Sequence, residues 1–369
     1  MVKRVLILGG QGRIGSSVAA DLLAHTDVDI TITGTSENPR SSATLDAPCK
    51  HYQSLRLEDR DGVQRAIAAV DLVVHCAGPF EYRDTAVLQA CIDQGVNYID
   101  VNDNRSYTRK ILALHAQAQA AGITAIANSG VFPGMSNSMV RQAVEQLDTP
   151  EEIHIQYGVA GSGGAGVTVM RTTFLGLQHP FEVWIDGQWQ SVKPYSEREG
   201  VTFPKPIGKT GVYWFDVPEA WTLATSFPVK TVTTKFGSTP DLYNSLTALV
   251  ARVTPSMLMQ QRQFIEFFSY LSYGMTRVSD RWSGVGIAMQ VQVNGIKDGR
   301  SACYTSSVVH DHTATAAGCA TGSLAAYVLA GTIDQPGVWP VERVLSTSLF
   351  DQAMRSRGIE IQRGWVELA

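Results

Sequence analysis

Three glycines near the start of the chain have the spacing of a phosphate-binding turn. Gly10, Gly12 and Gly15 follow a short apolar run and precede a helical pattern. Gly10 is expected to permit the tight turn, Gly12 to let backbone N–H groups approach a pyrophosphate, and Gly15 to let the helix pack on the strand. The positive end of the helix dipole, with Arg13 and Ile14 in the first turn, would point at the phosphates. Strand, glycine turn and helix together predict a dinucleotide site.

The end of the second predicted strand indicates which dinucleotide would bind. NAD-binding turns carry an acidic residue about 20 positions after the glycines, where it holds the ribose 2′-hydroxyl. Gly34 stands at that position here. The hydroxyls of Thr35 and Ser36, with Arg13 or Arg40 as the cation, would hold a 2′-phosphate, which favours NADP(H). In the alternative interpretation this segment is a polar turn with a solvated arginine.

A loop of small residues follows the fourth predicted strand. Ala77, Gly78, Pro79 and Phe80 come directly after an apolar run. The carboxyl edge of a parallel sheet is where such folds bind their ligands, so these residues are expected beside the nicotinamide ribose. Alternatively, the Gly-Pro pair only forms a turn.

Six segments extend this pattern along the chain. They are GGQGRIG at 9–15, DLVVHCAGPF at 71–80, VLQACIDQGV at 87–96, YIDVND at 98–103, SGVFPGMSN at 129–137 and GVWPVE at 337–342. Together they resemble the saccharopine dehydrogenase-like family of NADP-dependent oxidoreductases over residues 1–140 and 310–345. Across the middle the similarity is only architectural. The resemblance implies hydride transfer, an inserted substrate domain and a carboxyl-terminal helix that returns to the cofactor domain.

Polar residues in the next loops would serve that reaction. Hydride transfer needs the nicotinamide held against an electrophilic carbon, with a source of a proton or positive charge opposite. Asp103 is expected to bind a substrate ammonium or relay a proton. Tyr98, a further catalytic candidate, would be packed or hydrogen-bonded beneath it. A loop ahead of the following helix would present N–H groups to a substrate carboxylate or oxyanion. Its substrate-binding candidates are Ser129, Pro133, Gly134 and Asn137. Asn137 would otherwise cap a turn.

Two further candidates lie in the second half of the chain. His310 would line the cleft as a proton donor, since an unperturbed histidine has a pKa of about 6.5. A metal site with His312 is disfavoured because the spacing supplies no third ligand; otherwise the two histidines make contacts between domains. Arg171 follows a glycine-rich segment and would bind a substrate carboxylate through both guanidinium nitrogens. It would otherwise be an ordinary surface arginine.

The elements that must position these residues alternate between β and α patterns. Six strands are predicted at 4–8, 29–33, 51–57, 72–76, 98–101 and 124–127. After residue 148 longer alternating strands and hairpin turns begin, as at Asp186–Gly187. The predicted fold is α/β: a Rossmann-type doubly wound parallel sheet over 1–140, an inserted α+β substrate and dimerisation domain over 141–310, and a segment over 311–369 that packs back on the first domain.

Bulk properties exclude several classes of protein. The chain has 369 residues, more than one core usually supports, and its net charge of -4 argues against nucleic-acid partners. Five cysteines without a C-x-x-C pair fit a reducing cytoplasm. No apolar run reaches the ~18 residues of a membrane span. The Met- and aromatic-rich stretch at 255–275 indicates a core or a homodimer interface; the alternative is weak peripheral contact with lipid.

The favoured function is an NADP(H)-dependent oxidoreductase. It would reduce a C=N bond, or oxidise the corresponding secondary amine, in a small amino-acid or polyamine derivative. One alternative is reduction of an activated C=C or C=O bond in an apolar substrate, which the aromatic residues of the second domain would line. A second alternative, from another class, is a non-catalytic NADP(H)-binding sensor or partner protein.

Overall fold

The computed structural model describes residues 2–37, 51–161, 163, 167–205 and 207–366. They form two compact units, one from Met1–Ser138 with Ala314–Arg357 and one from Met139–Thr313 with Gly358–Ala369. The chain therefore enters the second unit after Ser138, returns to the first at Ala314 and leaves it again after Arg357.

Strands and helices are numbered here along the described chain. The strands are β1 (Arg4–Leu8), β2 (Asp29–Gly34), β3 (His51–Ser54), β4 (Leu72–His75), β5 (Asn97–Asp100), β6 (Thr124–Ala127), β7 (Thr149–Ala160), β8 (Phe181–Ile185), β9 (Gln188–Val192), β10 (Glu199–Thr202), β11 (Lys209–Trp214), β12 (Thr231–Thr239), β13 (Gly286–Lys297), β14 (Arg300–His310), β15 (Gly337–Pro340) and β16 (Ile361–Val366). The helices are α1 (Arg13–His25), α2 (Arg60–Ile67), α3 (Ala86–Gln94), α4 (Arg105–Leu112), α5 (His115–Ala120), α6 (Ser136–Val144), α7 (Val167–Leu175), α8 (Glu219–Ser226), α9 (Asp241–Val253), α10 (Ser256–Met259), α11 (Arg262–Ser283), α12 (Thr313–Leu329), α13 (Val341–Val344) and α14 (Thr347–Ser356).

The first unit contains one parallel sheet with the strand order β15-β6-β5-β4-β1-β2-β3. The order reverses between β1 and β4, which is the doubly wound arrangement that the sequence predicts. All residues of β4 and β6 are buried, because parallel sheets of this kind are covered on both faces. The reversal places the carboxyl ends of β1 and β4 side by side, where such folds bind ligands.

A seventh strand was missed in the sequence. β15 pairs in parallel with β6, with Gly337 opposite Thr124 and Pro340 opposite Ala127. Its four residues, GVWP, are too short and too rich in Gly and Pro to suggest a strand by themselves. The proline is tolerated because β15 is the edge of the sheet.

Two helix ends in the first unit have recognisable caps. α4 begins after Asn104, whose Oδ1 accepts a hydrogen bond from the Tyr107 N–H at 2.8 Å. A second short helix, α5, follows α4 in the chain. Gly95 ends α3 in a left-handed conformation, φ 68°, which glycine adopts readily.

The second unit contains a mixed nine-stranded sheet with the order β10-β11-β12-β7-β13-β14-β16, and β8 and β9 attached at β12. The predicted hairpin turn at Asp186–Gly187 is present, with φ of 51° and 73°. β13 and β14 are joined at Asp298–Gly299 alone. Asn294–Gly295 lies inside β13, at an irregularity of its pairing with β7.

The end of the chain is a correction to the predicted organisation. Residues 311–369 were expected to pack on the first unit, and 314–357 do belong to it. β16 instead pairs antiparallel with β14 from Val308–Ile361 to Cys303–Val366, because β14 offers an edge with free backbone groups. Within the described residues, no helix has the length and apolar character that crossing a membrane requires.

Candidate functional site

Two hydrogen bonds, one to a side chain and one to the backbone, join the turn after β1 to β2. Gly9 donates its N–H to the Thr33 hydroxyl at 3.2 Å, and Gln11 donates its N–H to the Thr33 carbonyl at 3.3 Å. Gly12 then begins α1 without a capping side chain. The first amide groups of α1 thus lie at the carboxyl edge of the sheet, at the end of a helix that attracts anions.

The glycines of the turn are required for different steric reasons, and the glycine in the left-handed conformation is not the one predicted to form the tight turn. The left-handed residue is Gly9, φ 76°, and not Gly10. Gly10 is required because a Cβ there would lie 2.5 Å from the Ile32 Cβ. At Gly15 a Cβ would lie 2.5 Å from the Gly9 carbonyl oxygen, so only glycine lets α1 sit this close to the strand. Around Gly12 a Cβ would approach only that oxygen, at 3.1 Å, which leaves its outer side open for a phosphate.

The end of β2 explains the missing acidic residue. A Cβ at Gly34 would lie 2.3 Å from the Gln11 Oε1, so the Gln11 carboxamide fills the place of an acidic side chain. The Gln11 Nε2 is buried and finds no hydrogen-bond partner in the described chain, which suits a donor to a bound ribose. Thr35 and Ser36 are exposed beside it. Gln11 was missed because its role depends on a contact with β2.

Of the two arginines predicted to bind the 2′-phosphate, the structure describes Arg13. Arg13 is exposed in the first turn of α1. Ile14 follows it and is half-buried. Arg40 lies outside the described residues.

The loop after β4 is held in a fixed shape. The Gly78–Pro79 peptide bond is cis. Arg83 donates from Nε to the Ala77 carbonyl at 2.9 Å and from Nη2 to the Gly78 carbonyl at 3.4 Å. Phe80 is buried, whereas Ala77, Gly78 and Pro79 remain partly exposed. The exposed backbone of this loop is small enough for a ribose to approach.

His75 supports that loop from below and was missed in the sequence. It ends β4, is fully buried and packs 5.0 Å from the Phe80 ring. Its Nδ1 accepts a hydrogen bond from the Ala77 N–H at 3.3 Å, so the ring must stay neutral at that atom. Burial, with a smaller effect of the Arg83 charge, lowers the His75 pKa to about 3. In the sequence, the polar residue at the end of the apolar run LVVH is the signal that could have identified His75.

A buried carboxylate organises the ends of β5 and β6. The Asp100 Oδ1 accepts hydrogen bonds from the Asn102 N–H at 3.1 Å, the Asn102 Nδ2 at 3.0 Å and the Asn128 N–H at 2.9 Å. Burial raises the pKa of Asp100, while these bonds lower it. Asn128, in a left-handed conformation, donates in turn to the Asn102 carbonyl. This network fixes the loop that carries Asp103, which is half-buried just beyond it.

Tyr98 is part of this core and does not line a site. It is 0% exposed, and its hydroxyl donates to the Asp100 Oδ2 at 3.0 Å and lies 3.1 Å from the Tyr107 hydroxyl. Burial and the neighbouring Asp100 charge raise its pKa well above the ordinary value. The predicted catalytic role for Tyr98 is therefore corrected to a structural one.

The loop at 129–137 is also buried and satisfies its own polar groups. The Ser129 hydroxyl donates to the Asp100 carbonyl at 2.7 Å. Asn137 accepts the Gly134 N–H at 3.0 Å and donates to the Glu342 Oε2 at 2.9 Å. Pro133 is buried and follows a cis peptide bond, and Gly134 has φ 131°. The geometry matches the alternative in which Asn137 holds a turn.

The two predicted site residues of the second unit, His310 and Arg171, have different surroundings. His310 ends β14 and is half-buried; its Nδ1 accepts the His312 N–H at 3.0 Å, and burial lowers its pKa. Arg171 donates to both carboxylate oxygens of Glu266, at 2.6 and 2.7 Å, and lies over the Tyr270 ring. The predicted substrate clamp is thus already paired, because α11 supplies its carboxylate. Among the described residues, no group of three His, Cys, Asp or Glu side chains is placed to hold a metal ion.

A doubly wound parallel sheet whose first strand turns through glycines into a helix defines a dinucleotide-binding domain. Residues 5–126 match the family described as the saccharopine dehydrogenase NADP binding domain. This part of the chain is similar to the NADP binding domains of saccharopine dehydrogenases, the family that the sequence predicts.

Similar proteins include one curated relative and two solved structures. Carboxynorspermidine synthase of Vibrio alginolyticus is 24% identical over 252 residues, which span 60% of this chain and 60% of that protein's length. Saccharopine dehydrogenase (L-Glu forming) from Saccharomyces cerevisiae has a TM-score of 0.68 at 14% identity, over 99% of this chain and 100% of that one. The DAP dehydrogenase of C. glutamicum has a TM-score of 0.50 at 15% identity, over 96% and 98%. The structural likenesses show the fold.

Proposed function

We propose that the protein reduces a C=N bond, or oxidises the corresponding secondary amine, in a small amino-acid or polyamine derivative. The observation that carries this proposal is the glycine turn at the switch point of the sheet, within a domain of saccharopine dehydrogenase type. The relative named carboxynorspermidine synthase supports the amine class, because norspermidine is a polyamine. We propose the cytoplasm as the compartment, on the cysteine pattern of the sequence.

On the cofactor side, each assignment rests on the shape of the turn and its neighbours. Gly12 and the first amide groups of α1 bind the pyrophosphate, with Arg13 and Ile14 at its border. Thr35 and Ser36 hold the 2′-phosphate, and the unpartnered Gln11 Nε2 donates to the adenosine ribose. The assignment of Arg40 to the same phosphate stays a prediction from the sequence.

On the nicotinamide side, the same edge of the sheet supplies the groups. The loop Ala77, Gly78 and Pro79 lies against the nicotinamide ribose, with Phe80 as its buried anchor.

On the substrate side, one group near the reacting nitrogen must supply a proton or a positive charge. When bound, NADPH supplies the hydride that adds to the imine carbon; the nitrogen must gain a proton to give the secondary amine. Asp103 lies at the mouth of the loop that the Asp100 network fixes. We assign Asp103 to binding a substrate ammonium or passing that proton, and the proton-donor role of His310 stays a prediction from the sequence.

An apolar C=C or C=O substrate has less support. The aromatic residues that suggested it are occupied elsewhere: Trp214 is 3% exposed in the core of the second unit, and Trp184 packs 5.0 Å from Trp189 on the hairpin. Phe267 lies on an exposed helix surface. The remaining alternative is a sensor that binds the cofactor, which would differ from an enzyme in having no substrate turnover.

NADPH oxidation in the presence of aldehydes paired with amino acids or diamines tests the proposal. We expect turnover with at least one such pair and little with aldehyde alone. Asp103→Asn should lower kcat by about 100-fold while leaving NADPH affinity unchanged, as expected for loss of one proton-transfer group. Asp334→Asn, an exposed carboxylate of the same unit, is the matched control. Tight NADPH binding without turnover on any pair contradicts the proposal and favours the sensor.

A further inference from the structure

The Gln11 side chain lies where NAD-binding folds carry the side chain of a different residue. Gln11 stands between Gly10 and Gly12 in the glycine turn, and its backbone N–H donates to the Thr33 carbonyl at 3.3 Å. A Cβ at Gly34 would lie 2.3 Å from the Gln11 Oε1, 2.7 Å from its Cδ and 3.0 Å from its Cγ. The outer part of Gln11 therefore covers position 34, at which NAD-binding folds carry an acidic residue.

Gln11 and a side chain at position 34 exclude one another. Gly34 ends β2 and pairs with Ser54 of β3, so its backbone is in the extended conformation that any residue adopts. The three atoms nearest to a Cβ at position 34 all belong to the flexible end of Gln11. A larger residue at position 34 would thus displace the carboxamide and leave the strand in place.

The Gln11 Nε2 is a buried hydrogen-bond donor without an acceptor in the described chain. Leaving such a donor unpaired costs free energy, so its presence in a binding turn indicates a ligand that supplies the acceptor. The oxygens of a phosphate ester at the ribose 2′ position are acceptors. A free 2′-hydroxyl, by contrast, also has a proton to donate, which a carboxylate accepts in NAD-binding folds.

The loop that follows Gly34 is anchored to β3 and adds further donors. The Tyr52 hydroxyl donates to the Ser36 carbonyl. Burial raises the pKa of Tyr52, so the phenol keeps the proton that makes this bond. The side chains of Thr35 and Ser36 are exposed beside Gln11. Around position 34 the chain therefore presents an amide and hydroxyl groups in place of an acid.

We propose that Gln11 is a specificity-determining residue, which selects NADP(H) over NAD(H) by holding a neutral amide where an NAD-binding fold holds a carboxylate. The amide donates to the oxygens at the 2′ position, and its bulk keeps an acidic side chain out of position 34. A carboxylate in the same place would accept a hydrogen bond from a 2′-hydroxyl and repel a 2′-phosphate. The inference rests on the cofactor site and is independent of the substrate class proposed above.

Gln11→Glu tests the proposal with a side chain of nearly the same shape. It places a carboxylate at the position of the carboxamide and leaves the glycines of the turn unchanged. The NADPH dissociation constant should rise at least ~100-fold, because two negative charges would meet at a partly buried site. The NADH dissociation constant should stay the same or fall, so that the preference is reversed. Titration calorimetry measures both constants without any substrate.

Gln94→Glu is the matched control. Gln94 is exposed at the end of α3, close in sequence to the start of β5, so the added charge lies at the opposite edge of the sheet from the turn. Both dissociation constants should remain within ~2-fold of the wild-type values because solvent screens an exposed charge. The ratio of the two constants is the diagnostic quantity, since a damaged fold would raise both constants together.

A second set of variants tests the exclusion between positions 11 and 34. Gly34→Asp introduces the NAD-type acid against the Gln11 side chain, and Gln11→Ala removes that obstruction. The double variant should therefore bind NADH roughly tenfold more tightly than Gly34→Asp alone, and NADPH more weakly than the wild type. This comparison does not depend on the folding of Gln11→Glu.

The outcomes separate this inference from the proposed reaction. Equal changes of both constants in Gln11→Glu, an unchanged preference for NADPH, or equal NADH affinity of Gly34→Asp and the double variant would each overturn the assignment of Gln11. A reversed preference in Gln11→Glu supports the assignment even where the wild-type protein turns over no imine.

Discussion

Gly12 and Gly15 belong to the same turn, yet a methyl group added at each meets different surroundings. At Gly15 the Cβ would lie 2.5 Å from the Gly9 carbonyl oxygen and 2.7 Å from the Gly10 Cα, both backbone atoms that cannot rotate away. At Gly12 it would approach only the Gly9 oxygen, at 3.1 Å, and the backbone angles, φ -73° and ψ 164°, suit any residue. Gly15→Ala should therefore damage the fold, and Gly12→Ala the cofactor site.

The magnitudes follow from the two environments. Overpacking at Gly15 costs about 1–3 kcal/mol, and the better helix propensity of alanine returns up to ~1 kcal/mol. A net loss of about 1–2 kcal/mol lowers the Tm of a unit of this size by roughly 2–8 °C. Gly12→Ala should change stability by less than ~0.5 kcal/mol. Its methyl group would occupy the place of phosphate oxygens, which should weaken NADPH binding at least ~10-fold, or about 1.4 kcal/mol.

Calorimetric unfolding without cofactor and NADPH titration of each variant separate the two effects. Gly200→Ala is the control, because a Cβ there meets nothing within 4 Å of it in the described chain. It should leave both quantities unchanged. Wild-type NADPH affinity in Gly12→Ala would refute the placement of the pyrophosphate, and a wild-type Tm in Gly15→Ala would refute the packing argument.

Four further substitutions, at three positions, test the polar groups described above. Burial lowers the pKa of His75 to about 3, below the unfolded value of about 6.5, so the free energy of unfolding should fall as the pH drops between these values. In urea unfolding, His75→Phe should remove about 2 kcal/mol of the stability lost between pH 7 and pH 5. An unchanged loss of stability in this variant would contradict the burial argument. Asp100→Ala should cost about 3 kcal/mol in the same assay because it leaves buried N–H groups without an acceptor, and Asp100→Asn should cost less; equal losses would show that the hydrogen bonds are not the cause. Arg171→Met should lower the free energy of unfolding by about 1 kcal/mol, because it removes the ion pair with Glu266, and should leave KM unchanged. A tenfold rise in KM would instead support the interpretation of Arg171 as a substrate-binding residue.

Local patterns were sufficient for the central architecture. β1 and β6 have the bounds that their apolar runs predict, because buried parallel strands have continuous apolar sequences that turn residues delimit. The glycine turn was located correctly, although the left-handed residue is Gly9. That detail depends on the close approach of Ala77, a residue far along the chain.

What sequence reading missed depends on contacts between distant segments. Arg171 was expected to be available to a ligand, and its pairing with Glu266 could not be read from either segment alone. Tyr98 was named as a catalytic candidate because it lies in the segment YIDVND beneath Asp103, but it faces the core beside Tyr107. The buried His75 shows the same limit, since its neutral state depends on the Ala77 N–H and on the surrounding apolar residues.

The division of the first unit between two segments of chain has a consequence for synthesis of the protein. β6 emerges from the ribosome ~200 residues before its neighbour β15, which at 5–20 residues per second is a delay of about 10–40 seconds. During that interval the nascent sheet has β6 as an open edge, and its hydrogen-bonding groups await a strand that has not yet been translated. The growing polypeptide must keep this edge from pairing wrongly until Gly337–Pro340 arrives.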